Sequence, residues 1–317
     1  MRCHVSDNPG SWLAAVVTGN LGVCPLADER SHHGLPADKW ADVGPLRMRY
    51  IDWGGGGPPV VALHGLASSG NWYDIVARLL SDGYRVIAPD QRGHGQTTQA
   101  SSGYDWHTLA SDVAGLMDHE NIDHAAVLGH SWGGHVASGL AAHFPERVEK
   151  LVMIEGGFLD ARLGEEPTWE SFSHQVRPRN VSGNREEFLG RLRNQLADCW
   201  SQDLERIVQT MVYEDEEGLI QDILRPDNHA QVIRTMWDYP PSAILPKVNC
   251  STLIVPAGPT PDRAGSEFAL RRIAMVDSAM GYLKNGRVNW IPETIHDIGY
   301  HKPQELANVI REFISED

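Results

Sequence analysis

Long apolar runs are missing from this chain. With no run of about 18 or more apolar residues, no segment is able to cross a bilayer as a helix. The early stretch Trp12-Leu13-Ala14-Ala15-Val16-Val17 is short and lacks the basic flank of a secretory signal. Cysteine is scarce. Cys3, Cys24, Cys199 and Cys250 are scattered without metal-ligand spacing and make no disulfide framework in a chain of 317 residues. They read as small core or surface residues, and a reducing cytoplasm is the expected address. Positive charge is also short: 27 Lys and Arg stand against 42 Asp and Glu, a net −15. That balance argues against nucleic acid and anionic membrane surfaces as partners, and solubility is its simplest account. The histidines form no cluster that suggests a metal site. Gly54-Gly55-Gly56-Gly57 lacks the spacing and the lysine of a phosphate loop and reads as a turn. Neither metal nor cofactor is expected, and no internal repeat or low-complexity tract is visible.

What is present centres on Gly129-His130-Ser131-Trp132-Gly133, which fits the G-x-S-x-G elbow that presents a serine nucleophile on a strained strand-to-helix turn. Its flanks suit that geometry. Ala125-Ala126-Val127-Leu128 is a short apolar run of buried-strand type, and the residues from His135 to Ala142 begin a helix rich in small side chains. Glycines at 129 and 133 let strand and helix approach around a residue held at a sparsely allowed backbone angle.

Three more stretches extend the pattern. Pro58 to Leu63 is a strand emptying into His64-Gly65-Leu66-Ala67-Ser68-Ser69-Gly70, and Tyr84 to Pro89 leads into Asp90-Gln91-Arg92-Gly93-His94-Gly95. Near the C-terminus, Val288-Asn289-Trp290-Ile291-Pro292 runs into His296, with Pro303 seven residues on. In this order and spacing, residues 45 to 317 resemble the α/β-hydrolase fold family. The resemblance implies an α/β fold with a mostly parallel central sheet flanked by helices and an inserted helical cap.

The organisation expected is an N-terminal extension over residues 1–40, a core over 41–156 and 247–317, and the cap over 157–246. In the core, residues 46–53 read as an early strand, Trp72–Leu80 and His107–Glu120 as helices, and Val148–Ile154 and Ser251–Val255 as strands, with a last helix from Pro303 to Ile314. The insert carries amphipathic helical runs at Arg185–Leu192 and Asp203–Val208. Its aromatics, Trp169, Phe172, Trp200, Tyr213, Trp237 and Tyr239, either fill the cap core or line a substrate pocket, and core filling is the default.

The resemblance also implies a chemistry. A serine hydroxyl needs a base to take its proton, and histidine suits that role near neutral pH. Ser131 takes the place of the family's nucleophile and His296 that of its base, with His301 the nearest rival. The acid that orients the histidine is Glu155, directly after the sixth strand, or Asp262, in an unusual proline-rich loop after Ser251–Val255. Glu155 is preferred. Its place resembles the acid position of some haloalkane dehalogenases and of the zearalenone lactonases. The backbone N–H groups of Leu66 and Trp132 correspond to the oxyanion hole, and His64 to a residue that orients its own loop. Asp90, Arg92 and His94 read as scaffold.

The expected activity is that of a serine hydrolase cleaving a small-molecule carboxylic ester or lactone through an acyl-enzyme on Ser131. Alternatives are a cofactor-free hydrolase of a carbon–carbon bond and a slow-turnover ligand-binding receptor. A homodimer is left open. A serine at 131 argues against the alkyl-ester chemistry of haloalkane dehalogenases and epoxide hydrolases, which use an aspartate there.

Overall fold

Parallel strands buried on both faces need apolar side chains in both alternating registers, and the centre of this chain supplies them. The computed structural model describes residues 36–163, 167–179 and 181–316. Its main sheet uses strands β1 (Ala37–Val43), β2 (Leu46–Asp52), β3 (Pro59–Leu63), β4 (Arg85–Pro89), β5 (Ala125–His130) and β6 (Val148–Ile154). Strands β7 (Val212–Glu214) and β8 (Ile220–Asp222) form a separate hairpin, and β9 (Ser251–Val255) and β10 (Gly286–Val288) complete the main sheet. The spatial order is β1-β2-β4-β3-β5-β6-β9-β10. The β1–β2 and β2–β4 pairs are antiparallel and the rest of the sheet is parallel.

Successive residues of a strand feed opposite cores. Val61, Leu63, Ala125 and Val127 pack on one face under the helices Trp106–His119 and Trp132–His143. Val60, Ala62, Ala126 and Leu128 pack on the other under Asp74–Leu80 and Pro303–Ser315. The chain leaves β3 toward β4 on one side and returns to β5 on the other. The strand order therefore reverses between β3 and β5, and crevices for ligands open at the carboxyl ends of strands at such a reversal.

Four features differ from the sequence expectation. Residues 37–40, expected within the N-terminal extension, belong to β1, where Ala37–Lys39 pair with Tyr50–Asp52. Residues 1–35 lie outside the described residues. The insert between β6 and β9 is not wholly helical, since β7 and β8 form a hairpin. The Asp215 side chain accepts from the Glu217 and Leu219 amides there, and Gly218 takes a φ of +77° to close the turn. A long helix, Glu267–Tyr282, fills the stretch before the last strand; the Ser266 hydroxyl caps it by accepting from Ala269 N–H. The last strand is Gly286–Val288, earlier than the apolar run at Val288–Pro292.

Candidate active site

The elbow is built as its residues require. β5 ends at His130 and the next helix starts at Trp132, so Ser131 is the junction, with φ +52° and ψ −122°. For a non-glycine residue this is a strained conformation. Close packing holds it. A Cβ on Gly129 would lie 2.3 Å from the Gly133 carbonyl oxygen, and one on Gly133 would lie 2.2 Å from that of Leu63. The Ser131 N–H donates to the Ile154 carbonyl at 2.9 Å, which ties the turn to the end of β6.

One residue past that end, Glu155 also has a positive φ, +47°, and its side chain is wholly buried. Its Oε2 accepts from the Ala257 N–H at 2.6 Å, and its Oε1 lies 3.5 Å from His296 Nδ1. A buried carboxylate needs partners of this kind. A further one comes from Arg272, on the Glu267–Tyr282 helix, whose Nη1 is in contact with Glu155 Oε1. Burial pushes the Arg272 guanidinium down to about 10, and its plane lies 4.6 Å from the Phe268 ring centroid.

His296 lines a cavity of about 420 Å³ together with Ser131, Leu66 and Trp132. Burial holds its imidazole down at about 4; Arg272 adds to the depression and Asp297 opposes it. The loop carrying His296 is pinned from β5 and from the loop after β3. His130 Nε2 donates to the His296 carbonyl at 3.1 Å, and the His130 ring stacks on Trp72 with 3.9 Å between centroids. Trp72 Nε1 in turn donates to Asp297 at 2.9 Å.

The loop after β3 is fastened by the loop after β4. Gln91 N–H donates to His64 Nε2 at 3.0 Å, and the Gln91 side chain donates to the His64 carbonyl. Ala67 N–H donates to His94 Nε2 at 3.1 Å, and Gly70 N–H to Asp90 at 2.8 Å. Burial depresses both His64 and His94 to about 3. Each is neutral, so Nε2 accepts and Nδ1–H donates to a backbone carbonyl, Gly65 and Arg92 respectively. Arg49 pairs with Asp90, and Arg92 with Asp112 through two hydrogen bonds of 2.8 Å. These polar residues share one mechanical task, fixing Leu66 and Ala67 beside the elbow.

The structure thus gathers Ser131, His296, Glu155, Leu66 and Trp132 in one place and leaves Asp262 out. Asp262 lies exposed on a short 3-10 turn, Pro261–Arg263, and does not line the cavity. Pro261 starts that turn at an exposed position. His301 bonds to Thr294 at 3.0 Å and does not line the cavity either. Of the six insert aromatics singled out in the sequence, Phe172 lines the cavity; Phe188, on the helix Arg185–Gln195, lines it as well. Trp169, Phe172 and Trp237 pack on one another, and Tyr213 and Tyr239 are exposed. Cys199 and Cys250 are free thiols pushed up by burial, Cys199 to about 12, and Cys3 and Cys24 lie outside the described residues. Among the described residues no group of three or more His, Cys, Asp or Glu is arranged to hold a metal ion. No helix among them is long and apolar enough to cross a membrane.

Sequence reasoning missed Arg272, Trp72, His130 and Asp297. Arg272 had no visible signal, because its helix went unread. His130 stood inside the elbow motif, but as its variable position.

A doubly wound sheet with a strained serine between its fifth strand and the following helix, beside a histidine loop, defines a class of α/β protein. The sequence profile described as alpha/beta hydrolase fold matches residues 58–239, and the chain belongs to that family. It is 45% identical over 108 residues to a non-heme chloroperoxidase of Streptomyces lividans, covering 33% of this chain and 39% of that protein. It is 36% identical over 132 residues to a soluble epoxide hydrolase of Corynebacterium sp. (strain C12), covering 41% and 43%. The chain spans less than half the length of these curated relatives. Among solved structures, that of E-2-(acetamidomethylene)succinate hydrolase superposes with a TM-score of 0.71 at 21% identity, over 89% of this chain and all of that one. That likeness is one of fold.

Proposed function

We propose that this protein is a serine hydrolase that cleaves a carboxylic ester or lactone with Ser131 as nucleophile, His296 as general base and Glu155 as the acid. The observation that carries the reading is the buried Glu155 carboxylate facing His296 Nδ1 at 3.5 Å, with the strained Ser131 in the same cavity. Glu155 fixes the imidazole with Nε2 free to take the serine proton, and it stabilises the imidazolium that follows. Ser131 attacks the carbonyl carbon. The oxyanion is received by the N–H groups of Leu66 and Trp132, the latter at the positive end of a helix. His296 then protonates the leaving oxygen, and water, deprotonated by the same histidine, releases the acid from the acyl-enzyme. Burial keeps His296 neutral at pH 7 and so ready to act as a base.

The epoxide hydrolase relative does not transfer its substrate to this chain, because an alkyl ester on an aspartate is the intermediate that Ser131 lacks the chemistry to form. Intact-mass measurement after treatment with a fluorophosphonate tests the reading. The expected result is one adduct on the wild type and none on Ser131→Ala. No adduct on either protein, or one on both, contradicts it.

A further inference from the structure

The charge inside the cavity runs against the charge of the chain. The protein carries a net −15, yet five arginines line this one cavity, Arg177, Arg179, Arg191, Arg271 and Arg272. Two carboxylates line it with them, Asp160 and Asp297. The pairing is uneven. Arg179 is matched by Asp222, and Arg272 by Glu155. Among the described residues no carboxylate comes within ion-pair distance of Arg177, Arg191 or Arg271. Arg191 and Arg271 are steadied by neutral carbonyls, those of Ser182 and Leu163, which hold the side chains without cancelling their charge. The two lining carboxylates are likewise held by neutral donors, Asp160 by the Arg162 N–H at 2.8 Å and Asp297 by the Trp72 indole N–H, and keep their charge, so the lining is left with an excess of one guanidinium.

Arg177 and Arg191 are exposed and their fields are screened by solvent, whereas Arg271 is half-buried with its Nε lacking a hydrogen-bond partner among the described residues, so the positive potential of this largely apolar cavity centres on Arg271. Guanidinium groups are matched in shape and charge to oxyanions, which they bind through paired N–H donors. We propose that the substrate carries, besides the bond that is cleaved, a free carboxylate that Arg177, Arg191 and Arg271 hold at the insert side of the cavity. This rests on the hydrolase reading for the scissile bond, but the anion subsite stands on the arginines that lack an ion-pair partner. Its consequence is selectivity. An ester bearing a carboxylate is drawn in and oriented by its far end, whereas a neutral ester of equal length loses that anchor.

Calorimetry on the Ser131→Ala protein separates the two ideas, because it requires no turnover. Monomethyl glutarate, one carboxylate and one ester, is compared with neutral dimethyl glutarate. At low ionic strength the monoester is expected to bind about tenfold tighter or better, a difference that one well-formed charge pair supplies. The advantage shrinks as salt is added. In a protein also carrying Arg191→Gln and Arg271→Gln the ratio falls toward one. Equal or weaker binding of the monoester, no binding of it, or a ratio unmoved by the two arginine substitutions overturns the proposal. Failure of the hydrolase reading shows separately, as a serine that the fluorophosphonate does not label.

Discussion

At the scale of single residues, the histidine decides what pH does to the chemistry. In the proposed mechanism His296 is the general base, which works only when unprotonated, and burial holds it down at about 4, below the usual histidine value near 6.5. The sign follows directly. Between pH 6.5 and about 4 an ordinary histidine takes up a proton and stops working, while His296 stays neutral. The rate of serine phosphonylation is therefore expected to hold nearly level from pH 7 to pH 5 and to fall below that, which a pH profile of the rate constant reads out. A midpoint near 6.5 would show an imidazole open to water. Ser131 and His296 were legible in the sequence because each sits in a local pattern, an elbow or the end of a strand run. The choice between Glu155 and Asp262 was not, since it turns on which strand end faces the histidine. Arg272 was invisible for the same reason: its contact with Glu155 spans more than a hundred positions and leaves no periodic trace.

At the scale of elements, the elbow depends on a strand, a turn and a helix approaching closer than side chains allow. Gly133 is the tighter of the two motif glycines, 129 and 133. Its substitution by alanine puts a methyl group 2.2 Å from the Leu63 carbonyl oxygen, a backbone atom that has no rotamer to escape into. Gly133→Ala is expected to lower the unfolding free energy by at least about 2 kcal/mol. Urea denaturation measures this, and a change within error would show that the junction is looser than described. The elements that sequence periodicity identified were those with one dominant signal. Val148–Ile154 and Ser251–Val255 end in the apolar runs Leu151–Ile154 and Leu253–Val255 and occur with those bounds. The β7–β8 hairpin was hidden because three-residue strands carry too few positions for a period. Helix Glu267–Tyr282 was hidden because Phe268, Leu270 and Ile273 are apolar yet exposed and blur its stripe.

At the scale of the whole molecule, the folded state holds several imidazoles neutral, with His64, His94, His135 and His229 buried and His296 partly buried. His64 and His94 are depressed to about 3, and His135, His229 and His296 to about 4, burial being the largest cause in each case. Their folded values lie below the unfolded one, so between pH 7 and pH 5 the unfolded chain binds protons that the native protein refuses. Stability present above pH 6.5 is lost as the pH falls through this window, by about 2 kcal/mol for each imidazole that remains fully neutral at pH 5. Burial pushes the Asp74, Asp112 and Asp222 carboxyls up, which acts in the opposite sense but nearer their own range around 4. Thermal unfolding is expected at least about 5 °C lower at pH 5 than at pH 7. An unchanged midpoint would mean that these histidines are hydrated. The fold class was legible at this scale because several motifs stood in order along the chain. The cationic lining of the cavity was not, because arginines separated by almost a hundred positions meet only once the insert and the Glu267–Tyr282 helix are in place.

The central claim is that Glu155, not Asp262, completes the site around Ser131 and His296. The most direct test needs no natural substrate: the second-order rate constant of fluorophosphonate labelling, compared among the wild type, Glu155→Gln and Asp262→Asn, with circular dichroism as the check on folding. The expected result is a fall of roughly a thousandfold or more for Glu155→Gln and less than about twofold for Asp262→Asn. A large loss for Asp262→Asn, or full reactivity in folded Glu155→Gln, would contradict the account.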